Sequence, residues 1–169
     1  MLKEMLEDCG AIKYGEFTLT SGKKSDYYVD IKLASTKPDI LKEIASQMCD
    51  YVDGDKIAGM ELGAVPIASA VSLEADLPFL MVRKEKKGHG TAGRIEGNYE
   101  EGDKVTVVED VTTTGGSAVE TVEVLRDVGV EVEKVLVVVD RKEGAEKRLK
   151  EVDVDLVPLI TADELVDES

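Results

Sequence analysis

The chain has 169 residues, 43% apolar and 34% charged, with a formal net charge of −15 and a pI near 4.5. That profile predicts one soluble globular domain over residues 1–169, and its negative field weighs against nucleic acid or anionic lipid as a general partner. No apolar run nears the roughly 18 residues of a membrane span and no signal-peptide pattern opens the chain; Cys9 and Cys49 have neither metal-ligand nor scaffold spacing, so a reducing cytoplasm is expected.

In chain order, GEFTLTSGKKSDYYVDIK predicts two strands joined by a turn over 21–24, a small hood within about residues 1–35. PDILKEIASQMCDYVD predicts a helix with Pro38 in its first turn and Ser35 or Thr36 near the cap. Its apolar residues Ile40, Leu41, Ile44, Ala45, Met48 and Val52 recur at helical spacing. Strand-like and helix-like stretches then alternate. KIAGM precedes VPIASAVSLEA, FLMVR precedes a basic loop, and KVTVVED precedes GSAVETVEVLRDVG. KVLVVVD follows, then a short helix over 145–150, then VDLVPLI, and TADE offers a capping box of Thr161 with Glu164. VTVV and VLVVV are continuous and β-branched, as in strands buried on both faces. The alternation predicts an α/β fold with a mostly parallel central sheet flanked by helices.

Two stretches carry the chemistry. VTVVEDVTTTGGSAVETV places the carboxylates of Glu109 and Asp110 at a strand end, before a loop of three threonines and two glycines that opens a helix. Free backbone N–H groups, hydroxyls and a helix N-terminus suit a phosphate, and glycine allows close approach. The carboxylates would repel that phosphate, but they can accept hydrogen bonds from ribose hydroxyls or help hold a metal. Phosphate clamp and diol clamp together describe a ribose 5-phosphate site. The second stretch, RKEKKGHGTAGRIEG at 83–97, gathers five of the 21 Lys and Arg residues, the single histidine and four glycines. GHGTAG within it matches the dinucleotide fingerprint in letters only, since a charged KEKK precedes it and no helical periodicity follows. No Walker A pattern occurs.

VVEDVTTTGG resembles the signature by which type I phosphoribosyltransferases bind phosphoribosyl pyrophosphate (PRPP). FTLTSGKKSDYYVD, RKEKKGHG and VVDRKEG are similar, in order, to the substrate segment, catalytic loop and arginine-bearing strand end of the family's orotate-specific branch. The resemblance implies a type I phosphoribosyltransferase-like fold and Mg²⁺-assisted conversion of orotate and PRPP to orotidine 5′-monophosphate and pyrophosphate. It implies a homodimer in which loop 83–97 closes over the neighbouring active site. Arg83, Lys84, Lys87 and His89 would then meet the diphosphate, with Lys87 joining Glu109 and Asp110 in catalysis. Val111, Thr112, Thr113, Thr114, Gly115, Gly116 and Ser117 would hold the 5-phosphate, with Glu109 and Asp110 on the ribose. Thr113 and Arg141 match orotate contacts, and Lys24, Tyr27 and Tyr28 fall in the base-pocket segment, where the tyrosines fit hood packing equally well. Mg²⁺ would be held mainly by substrate oxygens, with no direct protein ligand.

Two departures qualify the resemblance. Some bacterial members carry lysine where this chain has Thr20 and Gly63, so more of the cationic task should fall on residues 83–89. Glu109 stands where aspartate is frequent, a mild change. A purine or uracil phosphoribosyltransferase, or a non-enzymatic PRPP sensor, would share the clamp. The purine or uracil enzyme would not need Arg141 or the SGKKSDYY segment, and the sensor would need a nucleic-acid surface that the charge opposes.

Overall fold

A computed structural model describes residues 1–85, 88 and 91–166, excepting the side chains of Thr91 and Ala92. The chain opens with helix α1, Leu2–Asp8, and a two-stranded antiparallel sheet of β1, Ile12–Thr18, and β2, Lys24–Val29. Helices α2, Ile31–Ser35, and α3, Pro38–Cys49, follow. The main sheet is built from β3, Lys56–Met60; β4, Phe79–Val82; β5, Ile95–Glu96; β6, Lys104–Thr112; β7, Glu131–Asp140; and β8, Asp155–Thr161. Between these strands lie α4, Ala64–Ala75; α5, Gly116–Asp127; and α6, Ala145–Lys150, and α7, Ala162–Val166, ends the described fold.

Spatial order in the sheet is β5-β4-β3-β6-β7-β8, parallel throughout except for the antiparallel β4–β5 pair. Successive side chains on a strand face opposite layers. Ile57, Val108 and Leu136 therefore join one core with Ile44, Met48, Ile67 and Val71, while Ala58, Val107 and Val135 join a second with Val122, Leu125 and Leu149. Strands apolar on both faces need a helical layer on each side, which is what the continuous valine runs of β6 and β7 predict. Among the described residues no helix is long and apolar enough to cross a membrane.

Several local expectations need correction. Lys37, not Ser35 or Thr36, is the N-cap residue of α3, without a side-chain cap bond; the Thr36 hydroxyl instead donates to the Leu33 carbonyl at 2.6 Å and closes α2. That helix ends at Cys49, before Val52. Strand β2 stops at Val29, because Asp30 accepts the Leu33 N–H at 3.2 Å and caps α2, so Ile31 and Lys32 are helical. The hairpin turn starts earlier than 21–24: the Gly22 N–H donates to the Leu19 carbonyl and the Leu19 N–H to the Lys23 carbonyl, both at 2.8 Å. Strand β6 runs past Glu109 and Asp110 to Thr112, shortening the phosphate-type loop to 113–115. Helix α1 has no counterpart in the sequence reading; Leu2 and Leu6 anchor it in the core. At the far end Glu164 accepts the Thr161 backbone N–H at 2.7 Å, the reciprocal half of a capping box.

Candidate active site

Four parallel strands deliver loops to one edge of the sheet. β3 leads into Glu61–Gly63, β4 into Arg83, β6 into 113–115, and β7 into Arg141. From β3 the chain moves outward to β4 in one direction, whereas from β6 it moves to β7 and β8 in the other. The gap between β3 and β6 is thus a topological switch point, where open parallel sheets leave a crevice beyond their carboxyl ends. A cavity of about 580 Å³ opens there, walled on one side by the β1–β2 hairpin and on the other by Asp110, Val111, Thr113, Thr114 and Arg141.

The floor is the carboxylate pair. Glu109 is buried, 5% exposed, and its Oε1 has no hydrogen-bond partner among the described residues. Burial, reinforced by Asp110 and opposed by Lys84 and Lys32, pushes its carboxyl up to about 8. Asp110, one residue on, points the other way off the strand. Its Oδ2 lies 3.6 Å from the Lys32 Nζ, and its side chain is 16% exposed. Gly63 presses against the same carboxylate, since a methyl there would overlap Oδ2. The Glu61–Leu62 peptide of this loop is cis, and Glu61 accepts the Lys84 backbone N–H at 2.8 Å, joining the β3 and β4 loops.

The loop after β6 turns at Gly115, whose φ of +86° is strained for any L side chain, and whose missing Cβ would sit 2.9 Å from the Ala145 Cα. Helix α5 starts at Gly116 with no side-chain cap, so its first N–H groups, which lack intrahelical partners, open beside the loop. Thr113 and Thr114 line the cavity. The Thr112 hydroxyl is committed inward, donating to the Asp140 Oδ1 at 2.9 Å, and Ser117 Oγ lies 3.7 Å from the Met60 sulfur. Arg141 is fixed from three sides. Its backbone N–H donates to the Thr112 carbonyl at 2.9 Å, its Nη2 to Ser25 Oγ at 3.0 Å, and its guanidinium lies 4.3 Å over the Tyr27 ring. The Nε has no hydrogen-bond partner among the described residues, with Glu143 Oε2 3.9 Å away. Burial raises the Tyr27 phenol, against the lowering influence of Arg141.

The tyrosines divide. Tyr27 is buried beneath Arg141, whereas Tyr28 is exposed, packs on Phe17 at 5.7 Å between centroids and lines the cavity. Lys23 also lines it; Lys24 is exposed on the hairpin and does not. Arg83 pairs with Glu96 at 2.9 Å, and Arg94 pairs with Glu120 at 2.6 Å, so both ends of the basic loop are tied to the sheet edge and α5. Lys87 and His89 lie outside the described residues. Lys32, Asp140 and Glu143 escaped the sequence reading; the only hint of Lys32 was Asp30, a capping residue that could have ended the strand early.

Phosphate-type loop, carboxylate pair and half-buried arginine face one crevice, and comparison with known proteins gives this arrangement a family. Residues 35–167 match the phosphoribosyl transferase domain. The chain is 52% identical over 164 residues to an orotate phosphoribosyltransferase of Methanosarcina mazei, covering 95% of this chain and 88% of that one. The chain belongs to the orotate phosphoribosyltransferase family. Among solved members, the orotate phosphoribosyltransferase from Aeropyrum pernix matches with a TM-score of 0.87 at 34% identity, over 99% of this chain and 97% of that one. The UMP synthase of Leishmania donovani matches with a TM-score of 0.85 at 36% identity over 98% of this chain, which spans 37% of that longer protein. The type I phosphoribosyltransferase fold, with its parallel sheet and N-terminal hairpin, is therefore the fold of this chain.

Proposed function

We propose that the chain, as one domain over residues 1–169 with a hood at about 1–35, is an orotate phosphoribosyltransferase. It transfers the phosphoribosyl group of PRPP to orotate and releases pyrophosphate, in the pathway to UMP. The observation that carries this reading is the meeting of the 113–115 loop, the Glu109–Asp110 pair and the half-buried Arg141 at one switch-point crevice. The loop and the first turn of α5 hold the 5-phosphate through N–H groups and threonine hydroxyls. Asp110 and Glu109 accept hydrogen bonds from the ribose hydroxyls, fixing the anomeric carbon between the incoming base and the departing diphosphate. Arg141, pre-oriented by Ser25 and Tyr27, pairs with the orotate carboxylate, and Tyr28 offers its exposed ring to the pyrimidine.

Displacement at the anomeric carbon inverts its configuration and leaves charge on the diphosphate. Cations preplaced at that end stabilise the transition state, the role assigned to Arg83, Lys84, Lys87 and His89. The residues present fit Mg²⁺ held mainly by diphosphate and ribose oxygens. Asp110 and the unpartnered Glu109 Oε1 would meet its waters. When bound, the ion neutralises leaving-group charge.

The protein acts in the cytoplasm as a homodimer whose loop 83–97 serves the partner's site. Leu62, Leu73 and Met81, exposed on the loop after β3, on α4 and on β4, leave apolar area at the surface that supports the pairing. The free Cys9 and Cys49 fit a reducing compartment. Measuring pyrophosphate release from PRPP with orotate, uracil, adenine, hypoxanthine or no base tests the function. Release with orotate alone is expected; release with a purine or uracil instead would overturn the assignment.

A further inference from the structure

We propose that Lys32 is a binding residue for the diphosphate of PRPP, a cation carried by the hood-side helix α2 rather than by the basic loop. This deepens the proposed function and rests on it. The observations begin with Asp110. Its Oδ2 lies between the Lys32 ammonium, 3.6 Å away, and the bare backbone of Gly63. A ribose on Asp110 has two anionic ends. The 5-phosphate end has its seat at 113–115 and the start of α5, so the anomeric end faces the remaining wall, formed by the Glu61–Gly63 loop, Lys84 and Lys32.

Lys32 and Lys84, carried by different elements, both act against the upward push of burial on the Glu109 carboxyl, and Lys32 reaches Asp110 directly. A diphosphate entering the crevice adds several negative charges and needs cations able to turn towards it. Lys32 can turn. It sits on α2, whose Ile31 and Ala34 are buried, while its own side chain is 60% exposed and lines the cavity. Hydroxyls of the bound ribose then replace the ammonium on Asp110, and the ammonium moves to a diphosphate oxygen. With Thr20 and Gly63 supplying no charge to this wall, Lys32 is a cation on the described framework that already touches the ribose-binding carboxylate.

The test is a set of binding titrations, in the presence of Mg²⁺, of wild type, Lys32→Met and Lys32→Arg with PRPP, pyrophosphate, ribose 5-phosphate and orotate. Losing one charge-assisted contact should weaken PRPP and pyrophosphate by about 10- to 100-fold in Lys32→Met. Ribose 5-phosphate and orotate should stay within about threefold of wild type. Lys32→Arg should recover most of the loss. Equal melting temperatures are expected because the side chain is exposed. If ribose 5-phosphate weakens as much as PRPP, Lys32 acts only by positioning Asp110 and the proposal is overturned. It is overturned equally if orotate alone weakens, or if nothing does. A wild-type chain that binds PRPP yet releases no pyrophosphate with orotate overturns the proposed function, while the binding split still decides the role of Lys32.

Discussion

Glu109 is the residue whose environment departs furthest from water. Its carboxyl is raised from 4.5 to about 8 by burial first and by Asp110 second. Between those two values the unfolded chain loses this proton while the folded chain keeps it, so Glu109 makes stability fall as pH climbs through that window. Glu109→Gln keeps the shape and removes the charge that burial disfavours. Its melting temperature should exceed that of wild type at pH 8 and converge with it at pH 4.5 or below. At this chain size each kcal/mol is worth about 2–4 °C, which a thermal scan across pH can read. Equal melting temperatures at all pH values would show that Glu109 is not held protonated. Arg141 calls for the opposite kind of test. Its guanidinium is nearly enclosed, with the side chain 8% exposed, and the Tyr27 ring lies against it. Arg141→Ala should raise the KM for orotate about 10- to 100-fold and that for PRPP far less. Parallel rises in both would place the arginine elsewhere in the mechanism.

At the scale of elements, the site depends on how closely loops approach one another. Gly115 turns the chain with a positive φ directly against the Ala145 backbone, so the phosphate loop and α6 touch with no side chain between them. Gly115→Ala should cost about 1–3 kcal/mol from the left-handed conformation alone, with a further penalty from the 2.9 Å approach to the Ala145 Cα. The expected result is a lower melting temperature together with weaker binding of ribose 5-phosphate. A variant that melts lower yet binds normally would separate the turn from the phosphate seat. Asp140 works at the same scale. It accepts the Thr112 hydroxyl and, at 3.1 Å, the Lys142 N–H, coupling the end of β6 to the loop that carries Arg141.

For the whole molecule, the question is whose crevice the basic loop completes. Its described ends are tied down by Arg83–Glu96 and Arg94–Glu120. In the proposed two-fold dimer any reach across the interface is reciprocal. Lys87→Ala should lower kcat by about 10²–10³, as for one lost preorganised donor, and Asp110→Ala should be nearly inactive. Mixing the two variants and letting subunits exchange gives heterodimers with one intact and one doubly defective site. Random pairing makes half the dimers mixed, so activity should return to about a quarter of wild type. A mixture that stays inactive after demonstrated exchange would confine the loop to its own subunit.

The strand–helix alternation, the two-faced burial of VTVV and VLVVV, and the pairing of a carboxylate dyad with a glycine-rich turn are all local patterns. Each is written in consecutive residues, because side-chain period and backbone freedom are properties of short segments. That is why the sheet, most of its helices and the Glu109–Ser117 stretch were legible without coordinates. The end of β2 was missed because the Asp30 cap, a single hydrogen bond to Leu33, outweighed the strand-like run before it. The placement of Tyr27 and Tyr28 on opposite faces follows from their alternation on β2, but which face meets Arg141 depends on how the hairpin docks. Lys32 beside Asp110, Ser25 on Arg141, and Gly63 against Oδ2 join residues 78, 116 and 47 positions apart. Separations that long are set by strand order and layer packing, so only the tertiary structure could decide which charges face the crevice.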